Sequence, residues 1–452
     1  MSDTTEPAMA GAIVRPDDDG WDEARAAWNL AADQRPDAVA LVESAGDVAE
    51  VVRFAARHDL RVAGQGTGHG AGTLAPSLEG SILIKTERMR GIEVDVEART
   101  ARIEAGALAE EVAGAARESG LSSLPGSSPN VGAIGFTLGG GLSWLGRRYG
   151  FACNRVRAIE LVTADGEPRT VDADNEPELF WALRGGGGGY AIVTALQTDL
   201  VPLTDLYAGT LFFPAEVGAA GIRAYREWAE TVGDDVTSIV RFLRPPPMPD
   251  VPEPLRDTPL LTVGAACIMD REAGEEVVAP LREIGQPVMD SFDQIPPAGL
   301  SAIHVEPEPP VPVLASNVLI RELPDEAINA FVSVADPVAG SPLLLTELRQ
   351  LGGALGREAE NGGALAKLDA AFVMLGVGMP MTPEAGEAID AHYDRQEETM
   401  APWAADGGYL NFADRPAPLE AILPADVCER LAEVKRRWDP DGMIVANHPV
   451  ST

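Results

Sequence analysis

Nine residues, Gly64-Gln65-Gly66-Thr67-Gly68-His69-Gly70-Ala71-Gly72, hold five glycines and one histidine, and a short apolar strand, Arg61-Val62-Ala63, runs into them. Glycine at this density lets backbone amides turn inward and close on an anion, because no Cβ obstructs the approach. Gly66-x-Gly68-x-x-Ala71 also fits a dinucleotide-binding fingerprint, which requires a helix to open on the loop. The residues that follow, Gly72-Thr73-Leu74-Ala75-Pro76-Ser77-Leu78-Glu79-Gly80, are poor helix material. The stretch therefore reads as an anion-binding loop that is not of Rossmann type.

Two more glycine-rich stretches follow. One runs from Pro125-Gly126-Ser127-Ser128-Pro129-Asn130-Val131-Gly132 to Leu138-Gly139-Gly140-Gly141-Leu142, and the other is Arg184-Gly185-Gly186-Gly187-Gly188-Gly189-Tyr190. Strands and helices are interleaved tightly around them, so they are not low-complexity linkers. Three such loops in one ~200-residue lobe suggest one extended ligand touched repeatedly by backbone. Later in the chain, Thr346-Glu347-Leu348-Arg349-Gln350 places Glu347 and Arg349 on one strand face by alternation, either as site residues or as a solvated charged face. His304, in a Pro-rich stretch, and His392, on a predicted helix, read as ordinary surface residues, while His448 is unassigned. Cys153, Cys267 and Cys428 are far apart and lack metal-ligand spacing, so they read as buried free thiols, and no metal is expected.

The elements that must position these groups are legible from periodicity. Predicted helices cover Trp21 to Asn29, Gly46 to His58 (Val48, Val51, Val52 and Ala55 on one face), Leu108 to Ser119 and Pro177 to Leu183. Strands are predicted at Ala38–Val42, Ser81–Ile84, Ile92–Asp95, Thr100–Ala105, Ile159–Thr163 and Ala191–Leu196. From about Leu203 the character changes, with helices at Ala219–Val232, Asp325–Val334 and Pro383–Glu397. Strands there are predicted at Leu260–Ala265, Val313–Ile320, Leu343–Leu351 and Ala371–Gly378. Pro245-Pro246-Pro247-Met248-Pro249 and Pro307-Glu308-Pro309-Pro310 read as edge and loop punctuation in this second α+β lobe. The tail holds Gly407-Gly408-Tyr409-Leu410-Asn411-Phe412-Ala413-Asp414 and a helix from Pro424 to Trp438.

Length and charge bound the function. At 452 residues two domains or lobes are expected. No apolar run approaches the ~20 residues of a membrane span, and the first residues carry neither a basic segment nor an apolar core, so a cytoplasmic protein is expected. Thirty-five basic against 70 acidic residues give a net charge of −35, which argues against nucleic acid and anionic membranes as partners. Lysine is nearly absent (Lys85, Lys367, Lys435), and the acidic exterior reads as a solvated surface suited to high salt. The acidic surface and the 5 % aromatic content weigh against a large aromatic or anionic ligand.

In order, these motifs resemble the berberine bridge enzyme-like family within the vanillyl-alcohol-oxidase/PCMH-type FAD-dependent oxidases. The matching residues are Gln65 to Gly72, Pro129-Asn130-Val131-Gly132, Leu138 to Leu142 and Arg148-Tyr149-Gly150. They continue with Leu179 to Gly188 followed by Ile192-Val193-Thr194, then Tyr409-x-Asn411-Phe412 and Trp438-Asp439-Pro440. The resemblance implies an α+β fold: a PCMH-type FAD-binding domain of two α+β subdomains, and a substrate domain with an antiparallel sheet and flanking helices. On this reading residues 1–203 and 405–452 form the FAD domain and 204–404 the substrate domain. The middle, about 204 to 404, matches only loosely.

By the same resemblance His69 is the residue attached covalently to the flavin 8α-methyl. A mostly neutral imidazole near pH 7 is a competent nucleophile for that bond. Some family members add a cysteine bond just before Pro-x-Val-Gly, but Ser128 stands there, and a serine hydroxyl is too weakly acidic to replace a thiolate. A single link and no 6-S-cysteinyl bond are expected. Gln65, Gly66, Thr67, Gly68, Gly70, Pro129, Asn130, Val131, Gly132, Gly139, Gly140, Gly141, Leu142, Ile192, Val193, Asn411 and Asn447 complete the expected cofactor-binding set. Val131 occupies the oxygen-gate position, where a small side chain leaves room for O2. Tyr409 is the expected proton-handling residue, although a phenol titrates near ~10 and would need tuning. The second tyrosine of the motif is Phe412 here. The polar residue usual on the late substrate-domain strand falls in Ala371–Gly378, which has no titratable group, leaving Glu347 or Arg349 to compensate.

The implied function is a FAD-dependent oxidase that moves hydride from a small organic substrate (alcohol, sugar, amine or natural product) to flavin and gives H2O2 from O2. Alternatives are a flavin dehydrogenase, a flavin-dependent oxygenase, or a flavin-binding protein with little turnover. Neither the substrate nor the oligomeric state is read from the sequence.

Overall fold

The computed structural model describes residues 7–245, 253–304 and 309–451. The chain is organised on three sheets. The first contains β1 (Ala12–Val14), β2 (Ala38–Leu41), β3 (Arg61–Gln65) and β4 (Ser81–Lys85), in the order β1-β2-β4-β3. Strands β2, β4 and β3 are parallel and β1 is antiparallel. A parallel arrangement needs a crossover, and the helix Ala45–Arg57 supplies it. That helix begins where Ser44 Oγ accepts the Asp47 N–H at 3.1 Å, and Val48, Val51, Val52 and Ala55 form its buried face. The periodicity of the sequence thus finds its partner in the apolar face of the sheet.

The second sheet contains β5 (Ile92–Asp95), β6 (Thr100–Glu104), β7 (Val156–Val162), β8 (Pro168–Asp172) and β9 (Ile192–Asp199), in the antiparallel order β5-β6-β9-β7-β8. The C-terminal tail closes back on the first sheet. Val62 N–H donates to Met443 O, and Val445 N–H donates to Val62 O, each at 2.8 Å.

The third sheet has eight antiparallel strands: β10 (Leu206–Pro214), β11 (Val236–Leu243), β12 (Leu260–Cys267), β13 (Met289–Asp290), β14 (Asp293–Ile295), β15 (Leu314–Ile320), β16 (Leu345–Gln350) and β17 (Phe372–Gly378). Its long path runs β13-β10-β12-β11-β16-β17-β15. Alternation divides its side chains between two faces. Val240, Phe242, Leu261, Val263, Leu348, Phe372 and Met374 pack with helices Gly218–Ala229, Arg271–Arg282 and Asp325–Ala335. Ile239, Leu319 and Val373 look the other way, toward Trp144, Leu142 and Tyr409. Arg241, Glu347 and Arg349 leave from this second face, so buried charge lies between the sheet and the glycine loops.

Several expectations change. The first helix is only Trp21–Ala24, because the N–H groups of Trp28 and Asn29 donate to Thr67 O and Gly68 O at 2.9 and 3.4 Å and leave the helical ladder. A helical turn does follow the first glycine loop, Ala71–Leu74, but it is four residues long and is succeeded by a 3-10 turn at Ala75–Ser77. The third glycine run lies against protein: a Cβ on Gly185 would fall 2.3 Å from Leu365 Cβ, and one on Gly189 2.6 Å from Ala446 Cβ. At these two positions the missing side chain lets other segments of the chain approach closely. The proline runs fall largely outside the described residues, at 246–249 and 307–308. Among the described residues no helix is long and apolar enough to cross a membrane, and all three cysteines are buried and unpaired.

Candidate active site

Two of the three glycine loops meet edge to edge. Thr67 Oγ1 accepts the Gly132 N–H at 3.3 Å, bringing Gln65–Gly70 beside Ser128–Gly132. Gly68 has φ +80, a left-handed conformation, and a Cβ there would sit 2.8 Å from Ala27 Cβ and 2.9 Å from Gln65 Nε2, so only glycine fits. His69 is half-buried and stacks on Trp28, with centroids 3.8 Å apart and planes 14° from parallel. Asn447, carried in by the tail, donates from Nδ2 to Gly70 O at 2.7 Å and Thr73 Oγ1 at 3.0 Å. Ile192 and Val193 are buried at the start of β9, and a Cβ on Gly64 would meet Ile192 Cδ1 at 3.4 Å, so they back this loop.

The second loop is anchored by the start of the helix Ala109–Glu118. Pro129 O accepts Glu110 N–H at 3.0 Å and Val131 O accepts Ala109 N–H at 2.9 Å. Ser128 is buried, and its hydroxyl donates to Asn130 Oδ1 at 3.0 Å. Pro129, Asn130 and Val131 remain half-buried.

Gln65 tests whether these residues suit FAD. Its side chain is buried, and neither amide atom has a hydrogen-bond partner among the described residues. An unsatisfied buried polar group costs about 1–3 kcal/mol, and a bound group rich in carbonyls and ring N–H would relieve it. The inward glycine backbones offer the anion-holding amides that a pyrophosphate needs. The residues fit the cofactor.

Tyr409 lies behind the loop Gly139–Leu142. A Cβ on Gly139 would fall 1.8 Å from Asn411 Oδ1 and one on Gly140 3.0 Å from Tyr409 Cε2, so these glycines let the loop close on Tyr409 and Asn411. The Tyr409 hydroxyl accepts from Leu142 N–H at 2.8 Å and from Asn411 Nδ2 at 3.1 Å, and Asn411 also donates to Phe136 O at 2.8 Å. Asn317 on β15 clamps the Tyr409 backbone, accepting its N–H at 2.9 Å and donating to its carbonyl at 3.3 Å. Tyr409 is 1 % exposed, and burial pushes its phenol above the ordinary value despite those donors. These contacts hold the phenol in place, and its enclosure disfavours the ionised form.

A buried polar cluster faces the same loops from the third sheet. Glu347, fully enclosed, takes His304 Nε2 on Oε2 at 2.9 Å and Arg349 on Oε1 at 3.1 Å from Nε and 2.7 Å from Nη2. Burial works to raise the Glu347 carboxyl, but Arg349, then His304 and Arg241, outweigh it and hold it well below the carboxylate range. Arg241 donates from Nη2 to His304 O at 2.8 Å and from Nε to Thr262 Oγ1 at 3.1 Å. Arg349 Nη2 reaches Ser127 Oγ at 3.5 Å, and its guanidinium lies 5.3 Å from the Phe412 ring centroid and 6.0 Å from that of Trp144. Glu347 is thus an anchored carboxylate, not a free base, and the solvated-face alternative for Glu347 and Arg349 is overturned by their burial.

His304 and His392 are not surface residues. His304 is 2 % exposed, and His392 is also buried, its Nε2 donating to Val334 O at 2.7 Å. His448 places both ring nitrogens 2.9 Å from carbonyl oxygens, those of Ala417 and Ala413. Sequence reasoning passed over Arg241, although a lone arginine in the apolar strand Val236–Leu243 was a signal. It also gave no role to Trp28, Trp144, Asn317 or Asp414. Asp414 Oδ1 is enclosed without a hydrogen-bond partner among the described residues, beside Gly72 and 3.0 Å from where a Cβ would be, and burial pushes its carboxyl up to about 7.

Residues 36–172 match a family model described as FAD binding domain. The (R)-6-hydroxynicotine oxidase of Paenarthrobacter nicotinovorans is 28 % identical over 99 % of this chain and 98 % of its own length. The glucooligosaccharide oxidase of Sarocladium strictum is 31 % identical over 47 % of this chain and 44 % of its own. The solved structure of BBE-like 1 from Physcomitrella patens superposes with a TM-score of 0.85 over 98 % of this chain and 97 % of that one, at 18 % identity.

Proposed function

Because the chain belongs to the berberine bridge enzyme-like, PCMH-type FAD-binding oxidoreductases, we propose that it takes hydride from a small organic substrate at a C–H beside an O–H or N–H, with O2 as final acceptor. That it is a FAD-linked oxidoreductase of oxidase type acting on an organic substrate follows from the family; the acceptor, the tether and the substrate are our reading. FAD, when bound, would supply the hydride acceptor and the route for the two electrons to O2, which with the substrate proton would give H2O2. The single observation that carries the reading is the junction of the Gln65–Gly70 and Ser128–Gly132 loops at Thr67, with the unpartnered Gln65 amide beneath it.

His69, held by its stack on Trp28, serves as the one covalent anchor. Ser128 donates its hydroxyl proton to Asn130 and forms no second bond. Val131 keeps a small half-buried side chain on the second loop, where it would leave room for O2. Tyr409 and Asn411 set the shape of the Gly139–Leu142 loop. Glu347 is bound on both oxygens with its carboxyl held low, and Tyr409 is held high. Neither serves as the base near neutral pH, which favours a substrate that arrives ready to react, as a free amine or an ionised hydroxyl. The whole-length similarity to (R)-6-hydroxynicotine oxidase makes small hydroxylated nitrogen heterocycles the first class to try.

Anaerobic mixing of the holoenzyme with a panel of such amines, alcohols and sugars tests the reading. Bleaching of the flavin band by at least one compound, its return on admitting air, and one H2O2 per bleaching event are expected. Bleaching that air does not reverse would replace the oxidase with a dehydrogenase.

A further inference from the structure

His69 hangs from a loop that is poorly suited to hold it still. Both of its neighbours are glycines, and Gly68 sits at φ +80, a conformation that glycine alone enters freely. The support comes from outside the loop. Trp28 stacks on the imidazole, and the segment that carries Trp28 is fixed at every residue from Ala26 to Leu30. Ala26 O accepts Lys85 Nζ at 2.9 Å, and Ala27 packs so tightly on Gly68 that a Cβ there would fall 2.8 Å from its own. The N–H groups of Trp28 and Asn29 donate to Thr67 O and Gly68 O at 2.9 and 3.4 Å. The Asn29 side chain, 1 % exposed, accepts Val313 N–H and donates to Val313 O, both at 3.0 Å. Leu30 N–H donates to Val311 O at 3.0 Å. Residues 26–30 therefore tie the loop carrying His69 to the chain entering β15, the strand whose Asn317 holds Tyr409.

We propose that Trp28 is a positioning residue for the covalent bond at His69, and that Asn29 is the brace that keeps Trp28 in place. A ring nitrogen forms its bond in the plane of the imidazole. The indole plane is 14° from that plane, with the centroids 3.8 Å apart, so the stack covers a face of the ring rather than its edge and fixes the direction from which carbon must approach. Orientation of this kind speeds a reaction without touching the atoms that react. The assignment rests on the reading of His69 as the flavin anchor. Attachment breaks the imidazole N–H and one C–H of the flavin 8α-methyl, forms one C–N bond, and delivers two electrons and two protons to O2 as H2O2.

Full-length protein made in riboflavin-starved cells is mixed with FAD in air, and the acid-stable flavin on the chain is followed with time. Affinity for FAD before attachment and the melting temperature are read beside it. Trp28→Leu should slow attachment about three- to tenfold, the contribution of one aromatic pair, with FAD affinity and melting temperature unchanged. Trp28→Phe, which keeps a stacking face, should restore attachment to within about twofold of the wild type. Asn29→Ala, with the indole intact, should slow attachment in the same direction. Attachment at the wild-type rate in Trp28→Leu overturns the proposal and leaves the His69 anchor standing. A loss of FAD affinity in step with the attachment rate overturns it too, because Trp28 would then belong to the binding surface of the cofactor. If Trp28→Leu does not fold, Asn29→Ala decides: slower attachment at unchanged affinity supports the proposal, and an unchanged rate overturns it. Flavin released entirely by acid from the wild type, even after long incubation, sinks the anchor and this proposal together.

Discussion

Glu347 and Arg349 leave the same face of β16 two residues apart, and the guanidinium grips one carboxylate oxygen from Nε at 3.1 Å and Nη2 at 2.7 Å. The other oxygen is on His304, and the pair is buried on the face of the eight-stranded sheet turned toward the glycine loops. Removing one partner of such a buried pair leaves an uncompensated charge and costs about 3–5 kcal/mol. Glu347→Gln should lower the unfolding free energy from urea titration at pH 7 by that order, and Glu347→Gln/Arg349→Met should recover most of it. Because the folded carboxyl lies below its ordinary value of 4.5, its stabilisation is complete above that pH and is lost only as pH falls toward the folded value. The Glu347→Gln variant should therefore lose less stability than the wild type on further acidification.

Asp414 has the opposite sign. Its folded pKa of about 7 lies above the ordinary 3.8, because burial disfavours the charged form. The folded state then holds a proton that the unfolded state releases between about pH 4 and 7, so this group makes stability fall as pH rises through that window. Asp414→Asn should flatten the decline and raise the unfolding midpoint at pH 8. Thermal unfolding of the two proteins at pH 4.5, 6 and 8 checks it; parallel curves would remove Asp414 as the cause.

The contrast between these two carboxylates shows what the sequence could disclose. Alternation alone placed Glu347 and Arg349 on one face, and glycine density marked the loops that other segments approach closely, because both are local patterns. Burial of that face was not legible, since it depends on β11 pairing Arg241 with Glu347 and on a distant turn delivering His304. Asp414 stood in a recognised motif, yet its enclosure comes from Gly72, far away in the chain. The same limit applies to the third glycine run: glycine density shows that something approaches closely, and at Gly185 and Gly189 the neighbours are Leu365 and Ala446.

The net charge of −35 repels itself across the surface. Raising KCl from 0.05 to 1 M shortens the screening length from above ~10 Å to about 3 Å, so the melting temperature should rise steadily across that range. Calorimetry at constant pH reads it directly, and a falling melting temperature would contradict a surface dominated by like-charge repulsion.

Val131 sits half-buried on the loop that meets Thr67, with its carbonyl pinned by Ala109 N–H. Enlarging it should close the approach of O2 without moving the backbone. Val131→Leu is expected to slow reoxidation of the reduced flavin about tenfold, a barrier change of roughly 1.4 kcal/mol, with anaerobic reduction unchanged. Stopped-flow mixing with air-saturated buffer distinguishes the two half-reactions, and equal reoxidation rates would take the gate away from this residue.

His69 carries the central claim, that this glycine loop is the covalent seat of FAD. Its ring is presented by the stack on Trp28, 3.8 Å away, beside the buried Gln65. The most direct measurement is mass spectrometry of the peptide containing His69 after acid denaturation and proteolysis of the purified protein. The expected result is that this peptide carries the flavin, that no peptide containing Ser128 does, and that His69→Ala releases all of its flavin on denaturation. An unmodified His69 peptide, with the wild-type flavin released into solution, would contradict it.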